Sequence, residues 1–291
     1  MVDSESFVKM VSDEPIHIPH ERNRLESVPE ERLHHCAPAV LGYSLVTKRW
    51  GRFDVNGFKD IEWIDREPLM TNLVLSDRKK KLIESLISVN QLDIVCDAVT
   101  NKSGGFVILL HGNPGTGKTL TAEAAAEKRR CPLMVVSAAD LGYELEKMET
   151  TLQKVLQICQ TWDAVLLIDE AEVYLEERSP GNIKQNAIVS VFLRLLEYHQ
   201  LLIFLTTNHI ERIDPAVRTR VAVTIEYPNL DERARASIWK RYLLRAGVEI
   251  TDDNDDGYDD IGPSEAIAER ELRALARNDL NGRYMHFQKY V

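Results

Sequence analysis

Apolar positions along this chain fall into short, near-continuous runs, separated by stretches in which they recur every three or four residues. The near-continuous runs are Phe106 to Leu110, Pro132 to Val136, Ala164 to Ile168, Leu201 to Leu205 and Val221 to Ile225. Runs of this length without alternation read as strands buried on both faces. Helical spacing lies between and before them, over Asp77 to Val95, Leu120 to Glu127, Glu146 to Gln160 and residues 184–199. In the first of these, Leu82, Ile83, Leu86, Ile87, Leu92 and Ile94 share one face. Strands alternating with helices predict a three-layer α/β core with a parallel five-stranded sheet. Beyond Pro228, Asp231 to Ala246 and Ser264 to Arg277 read as helices with no strand pattern, which predicts a small helical appendage. Upstream, Val40 to Leu45 and Trp50 to Val55 read as small strands punctuated by glycine. The aromatics Tyr43, Trp50, Phe53, Phe58 and Trp63 read as core rather than as a base-stacking platform. Residues 1–38 are polar and carry Pro15, Pro19 and Pro29, the pattern of a loose arm.

Charge and composition narrow the partners. A formal net charge of −10 argues against a nucleic-acid-coating surface. No apolar run approaches the roughly 20 residues that cross a bilayer. No secretory or transit pattern is visible, and the four cysteines lack C-x-x-C spacing. A reduced cytoplasmic or nuclear protein, with no membrane and no clear nucleic-acid partner, is the expectation. The acidic run Thr251 to Asp260 begins like a calcium loop, but Pro263 stands where a bidentate Glu is needed, so it reads as an acidic surface loop.

The stretch with chemistry in it is Gly112-Asn113-Pro114-Gly115-Thr116-Gly117-Lys118-Thr119, set between the first buried strand and an alanine-rich helix that starts at Leu120. Glycines at 112, 115 and 117 let the backbone curl so that successive N–H groups point at an anion. The helix behind them adds the positive end of its dipole. Lys118 supplies a point charge for β- and γ-phosphates, and the Thr119 hydroxyl is a ligand for Mg²⁺. This pattern binds a nucleoside triphosphate.

Two further strand ends are expected to face that cradle, because ligands of parallel α/β sheets sit at the carboxyl ends of the strands. One ends in Asp169-Glu170, with Asp169 placed for Mg²⁺ and Glu170 for polarising a water. The other ends in Thr206-Thr207-Asn208, where the amide of Asn208 can orient that water. Arg218 and Arg220, just ahead of the last strand, are candidates for stabilising phosphoryl-transfer charge in a neighbouring subunit.

With these elements in this order, the chain resembles an AAA+ ATPase over residues of about 75–291. Gly112 to Thr119 resembles the Walker A motif and Val165 to Glu170 the Walker B motif. Asn208 sits where the family has sensor 1, and Arg218 and Arg220 where it has arginine fingers. Asn281-Gly282-Arg283 resembles sensor 2, with Arg283 reaching from a helical lid toward the γ-phosphate. More narrowly, Asp169 to Arg178, Val191 to Tyr198 and Phe204 to Asn208 resemble a fungal subgroup with an upstream domain of unknown function, whose end Gly42 to Leu45 and Trp50-Gly51 preserve. The resemblance implies ATP bound with Mg²⁺ between core and lid and assembly into a ring, commonly hexameric. It also implies hydrolysis coupled to remodelling of a protein or complex. It divides the chain into an arm and upstream remnant (1–75), a core (76–227) and a lid (228–291).

Several positions depart from the family pattern. Asn113 replaces the usual Pro of the loop, and its side chain is expected to point away from the ligand. Tyr143 falls near a pore-loop position but reads as a buried or surface Tyr. The chain stops eight residues after Arg283, so the last lid helix is expected to be short. The alternative reading is a nucleotide-dependent interaction module that binds ATP with little turnover. A small-molecule kinase is disfavoured, since no acceptor-binding lid is visible and the Asp-Glu pair suits water.

Overall fold

The computed structural model describes residues 37–61, 63, 73–88, 106–197, 199, 201–245, 247–251 and 266–277, together with Ser6. Contacts divide the chain into two compact units, Met1–Trp63 and Ile64–Val291. The first contains an antiparallel hairpin of β1 (Ala39–Ser44) and β2 (Arg49–Asp54). Tyr43 is paired with Trp50 in the ladder, and their rings meet edge to face with centroids 5.2 Å apart.

The second unit carries α1 (Asp77–Ser88), β3 (Phe106–Gly112), α2 (Lys118–Arg129), β4 (Leu133–Val136), the short α3 (Ala138–Leu141) and α4 (Leu145–Trp162). Next come β5 (Val165–Ile168), the short α5 (Glu172–Leu175), α6 (Ile183–Glu197), β6 (Leu202–Thr207), the short α7 (Pro215–Arg218) and β7 (Val223–Tyr227). The five strands β3 to β7 form one parallel sheet in the order β4-β5-β6-β3-β7. The expected α/β fold is therefore present, and its most central strand, β6, lies between β5 and β3.

Burial on both faces explains the apolar runs of β3, β5 and β6, whereas the expectation is corrected at the edge strand β7, where Thr224 and Glu226 are exposed between buried Ile225 and Tyr227. Every residue of β5 and β6 is buried. One set, Ile108, Leu110, Val165, Leu167, Leu202 and Phe204, packs with Ile83 and Ile87 of α1 and the alanines of α2. Their neighbours Val107, Leu109, Leu166, Ile168, Ile203 and Leu205 are as deeply buried, and the two-residue period of a strand sends them to the opposite face. The alanine face of α2 lets that helix lie close to the sheet, which brings its first turn over the strand ends. Each fully buried Leu, Ile or Phe contributes about 1.5–3 kcal/mol of transfer free energy.

After β7 come α8 (Glu232–Arg245), β8 (Glu249–Thr251), β9 (Ala266–Ala268) and α9 (Glu269–Arg277). Trp239 and Leu272 form the buried centre of this small layer, with Ile238, Leu243 and Leu275 packed on them. Arg235 ties it to the hinge, donating through Nε to the Ala276 carbonyl (2.7 Å) and through Nη1 to the Leu230 carbonyl (2.6 Å). The purely helical reading of this region is corrected, because β8 and β9 pair in parallel and the second helix begins at Glu269 rather than Ser264. Strands of three residues leave no period to read, and their pairing spans residues 252–265. Residues 89–95, the acidic run from Asp252 to Asp260, and Asn281 to Arg283 lie outside the described residues.

Candidate functional site

The phosphate-loop glycines take backbone angles that side chains resist. Gly112, Gly115 and Gly117 have φ of 144°, 78° and 103°. A Cβ on Gly112 would sit 2.3 Å from the Tyr227 carbonyl oxygen, so the loop leaves β3 only because no side chain is there. Gly117 is the N-cap of α2 and offers no side-chain acceptor, which leaves the amides of the first helical turn to a ligand. Within the loop, Thr116 Oγ1 donates to the Asn113 carbonyl at 2.8 Å. The Thr121 hydroxyl, on the first turn of α2, is hydrogen-bonded to Tyr227 on β7. Burial pushes that Tyr227 phenol up to about 12, partly opposed by the Thr121 hydrogen bond.

Lys118 is only 8% exposed, an expensive place for an ammonium unless acceptors surround it. Its Nζ donates to the Gly112 carbonyl (2.6 Å), the Asn113 carbonyl (2.9 Å) and Asn208 Oδ1 (2.9 Å). The loop carbonyls and the end of β6 thus share one positive charge. His111, one residue before the loop, has its pKa lowered by burial and by the nearby charges of Lys79 and Lys118, with Glu226 pulling the other way. The imidazole therefore adds no charge at neutral pH.

At the end of β5, Asp169 is held by its N–H to the Val136 carbonyl (2.9 Å). Glu170 follows with φ of 55°, an unfavourable backbone for a residue with a Cβ. Its N–H donates to Thr206 Oγ1 (3.0 Å), and that hydroxyl in turn donates to Asp169 Oδ1. The next amide, Ala171 N–H, donates to the Thr206 carbonyl (2.8 Å).

These groups open onto one cavity of about 400 Å³. Its floor is Pro114, Gly115, Thr116, Gly117, Lys118, Thr119 and Leu120, with Asp169, Glu170, Thr206 and Asn208 along one side. Gly112 and Asn113, expected with the rest of the loop to hold the ligand, are not among the residues that line the cavity. The Asn113 amide donates to Asn229 Oδ1 (2.6 Å) in the hinge after β7. Sequence reasoning assigned no role to the remaining wall, which is Leu73 and Val74 ahead of α1, Leu230 in the hinge, and Ile238, Arg241 and Tyr242 of α8. Apolar residues beside polar ones in an amphipathic helix carry no mark of which ones face a cavity. In the sequence Thr206 is marked only as part of a strand end.

Thr119 and Asp169 both line the cavity, so a hydroxyl and a carboxylate, hard oxygen donors suited to Mg²⁺, face the same space. No cluster of three or more His, Cys, Asp or Glu side chains among the described residues is arranged to hold a metal by itself.

Arg218 and Arg220 are exposed and do not line this cavity. Arg220 donates to the Ala216 carbonyl through Nη1 (3.1 Å) and is paired with Glu197 through Nε. The turn that carries both is anchored by Asp214, which is 2% exposed. Asp214 accepts from Ala216 N–H (2.8 Å) and from the Arg178 Nε (2.7 Å). Burial raises the Asp214 carboxyl, but the hydrogen bonds from Arg178 and from the Ala216 and Arg178 amides outweigh it, so it sits below its ordinary value. Tyr143 is 69% exposed and belongs to the surface. Arg283 lies outside the described residues.

Residues 108–229 match the family model of the ATPase family associated with various cellular activities (AAA). The ATPase family AAA domain-containing protein 3A homolog of Drosophila melanogaster is 31% identical over 136 residues, covering 44% of this chain and 22% of that protein. The ATPase family AAA domain-containing protein 3 of Bos taurus is 28% identical over 159 residues, covering 51% of this chain and 27% of that protein. The chain spans about a quarter of the length of these curated relatives. A crystal structure of the FIGL-1 AAA domain in complex with ADP superposes with a TM-score of 0.54 at 20% identity, covering 78% of this chain and 71% of that one, a likeness of fold. No helix among the described residues is long and apolar enough to cross a membrane. The matched stretch begins in β3 and runs through the phosphate loop, the Asp169-Glu170 strand end and Asn208 to the segment after β7, and over this stretch the chain is similar to the AAA ATPases.

Proposed function

We propose that this chain binds ATP with Mg²⁺ and hydrolyses the β–γ phosphoanhydride, and that turnover remodels a protein or complex. The observation that carries the reading is the shared cavity, in which Lys118 joins the phosphate loop to Asn208 while Asp169 and Glu170 line the same wall. ATPase activity is the general property of the family; the metal, the roles of single residues and the remodelling are our assignments.

In this reading the amides of Gly115 to Leu120 and the ammonium of Lys118 hold the phosphates and draw charge toward the β–γ bridge. Thr119 and Asp169 would hold Mg²⁺, which when bound neutralises charge developing on the phosphate oxygens. Glu170 takes a proton from water as its oxygen attacks the γ-phosphorus. The bond from that phosphorus to the bridging oxygen breaks, ADP departs with the electron pair, and inorganic phosphate is left. Asn208 holds Lys118 in place and orients the attacking water. The apolar wall of Leu73, Leu230 and Ile238 suits the face of the adenine.

Arg218 and Arg220 are assigned to a neighbouring subunit's site, since they are exposed and lie away from this chain's own cavity. Assembly into a ring, hexameric as is common in the family, supplies that neighbour. Arg283 is assigned to the γ-phosphate on the resemblance of Asn281-Gly282-Arg283 to sensor 2 alone.

The test is a pair of substitutions. Glu170→Gln should keep ATP binding and lower turnover about a hundredfold or more. Lys118→Ala should lose binding, because loop amides alone cannot replace a buried ammonium. Undiminished hydrolysis by the Glu170→Gln protein would remove Glu170 from its role.

A further inference from the structure

Thr206 is buried, at 1% exposure, yet contributes to the cavity wall beside Asp169, Glu170 and Asn208. It sits in β6, where its backbone pairs with Leu110 of β3 on one side and, one residue past the end of the β5 ladder, accepts the Ala171 N–H on the other. A β-branched side chain on such a backbone has little rotameric freedom, and its hydroxyl direction is correspondingly defined. The hydroxyl has one proton to give and lone pairs to accept with. It gives the proton to Asp169 Oδ1 and accepts the Glu170 N–H at 3.0 Å. The Thr206 carbonyl accepts the Ala171 N–H at 2.8 Å. One residue therefore grips three consecutive residues at the end of a neighbouring strand.

Two of those grips bear on chemistry. Glu170 has φ of 55°, a conformation that persists only when its surroundings hold it. The bond from its N–H to Thr206 is such a hold, and it sets where the Glu170 side chain leaves the backbone. At Asp169, the hydroxyl occupies Oδ1, and no hydrogen bond among the described residues engages Oδ2. The carboxylate is thereby turned so that one oxygen is spoken for and the other is available.

We infer that Thr206 is a positioning residue for hydrolysis, aiming Glu170 at water and presenting Asp169 Oδ2 to the metal ion. The inference rests on the reading that Glu170 activates water, and it adds that the aim of both carboxylates is set from β6 through one hydroxyl. Packing alone would need only the shape of the side chain. The chemistry needs the oxygen.

Thr206→Val keeps the shape and β-branching but removes the hydroxyl, and Thr206→Ser keeps the hydroxyl but removes the methyl group. Four quantities are measured for each: melting temperature, affinity for fluorescent ADP without metal, the Mg²⁺ dependence of that binding, and kcat. For Thr206→Val, kcat should fall about a hundredfold, the loss expected when a general base is misdirected. The Mg²⁺ needed for half-saturation of the metal-dependent binding should rise about tenfold, as for lost outer-sphere partners of metal ligands. ADP affinity without metal should stay within about threefold, because Thr206 does not contact the loop amides that bind phosphate. Thr206→Ser should restore kcat and the Mg²⁺ curve to near the parent values even if its melting temperature is lower. Parent-like kcat and Mg²⁺ dependence in Thr206→Val would overturn the inference. So would equal impairment of the Val and Ser proteins, which would mark Thr206 as a packing residue. Glu170→Gln is measured alongside. If it hydrolyses ATP normally, the assignment of Glu170 fails and the inference fails with it; if it is inactive while Thr206→Val is normal, only the inference on Thr206 fails.

Discussion

Lys118 Nζ donates to Asn208 Oδ1 across 2.9 Å, although the two residues lie 90 positions apart in the chain. The contact exists because β6 is hydrogen-bonded beside β3, with His111 paired to Thr207 in the ladder. A strand end and the lysine of the phosphate loop therefore act on the same few ångströms of space. Removing the amide takes one acceptor from the ammonium. Asn208→Ala should lower kcat about tenfold or more while weakening ADP binding only a few fold, since a charge-assisted hydrogen bond contributes about 1.5–3 kcal/mol. Steady-state ATPase assays with calorimetric ADP titration check this, and an unchanged kcat would separate Asn208 from catalysis.

Gly112 offers a sharper test of the loop. Its φ of 144° and the Tyr227 carbonyl 2.3 Å from the place of a Cβ leave no room for even a methyl group. Gly112→Ala should lose roughly 2–3 kcal/mol of stability and abolish nucleotide binding, because the strain falls on the residue that turns the loop out of β3. Chemical denaturation and nucleotide titration measure the two effects separately. A stable, nucleotide-binding Gly112→Ala protein would mean that Tyr227 yields easily.

Asp214 makes the arginine turn sensitive to acid. Its folded-state carboxyl lies below its ordinary value of 3.8, so the stabilisation it brings is complete above that value and is lost as pH falls through the lower folded one. Asp214→Ala should be less stable than the parent at neutral pH, by roughly 1–2 kcal/mol from the lost N-cap of α7 alone. The difference should shrink only below about pH 4. Thermal melts of both proteins across pH 3 to 7 read this directly; a gap that stays constant with pH would show that the carboxylate charge is irrelevant.

The arginines lend themselves to a mixing experiment. Arg218→Ala leaves this chain's own cavity intact, and Glu170→Gln leaves the arginine turn intact. If Arg218 serves a neighbour, each protein alone should be nearly inactive, and mixing them should give more ATPase activity than the sum of the two. Specific activity of the parent should also climb with protein concentration as subunits assemble. Mixtures no better than the sum, with a flat concentration dependence, would return Arg218 to the role of a surface residue.

Much of this protein was legible before any coordinates. Residues with a steric or chemical monopoly announce themselves locally: the glycines of the loop, the Lys118-Thr119 pair behind them, and the Asp169-Glu170 pair closing a run of four buried apolar residues. Near-continuous apolar runs likewise point to a parallel five-stranded sheet, although only β3, β5 and β6 turn out buried along their length and the edge strand β7 alternates.

Other features belong to the tertiary structure because they are pairings between distant segments, and pattern along a chain carries no information about distance across it. The order β4-β5-β6-β3-β7 is what sets β6 between the carboxylates and the phosphate loop. Only that order gives the Thr206 hydroxyl its two partners and lets Asn208 reach Lys118. The same holds for β8 and β9, too short to show a period yet long enough to pair, and for Arg241 and Tyr242, which face the cavity through the way α8 folds back over the strand ends. Local chemistry named the parts, and the non-local hydrogen bonds of the sheet determined which parts meet.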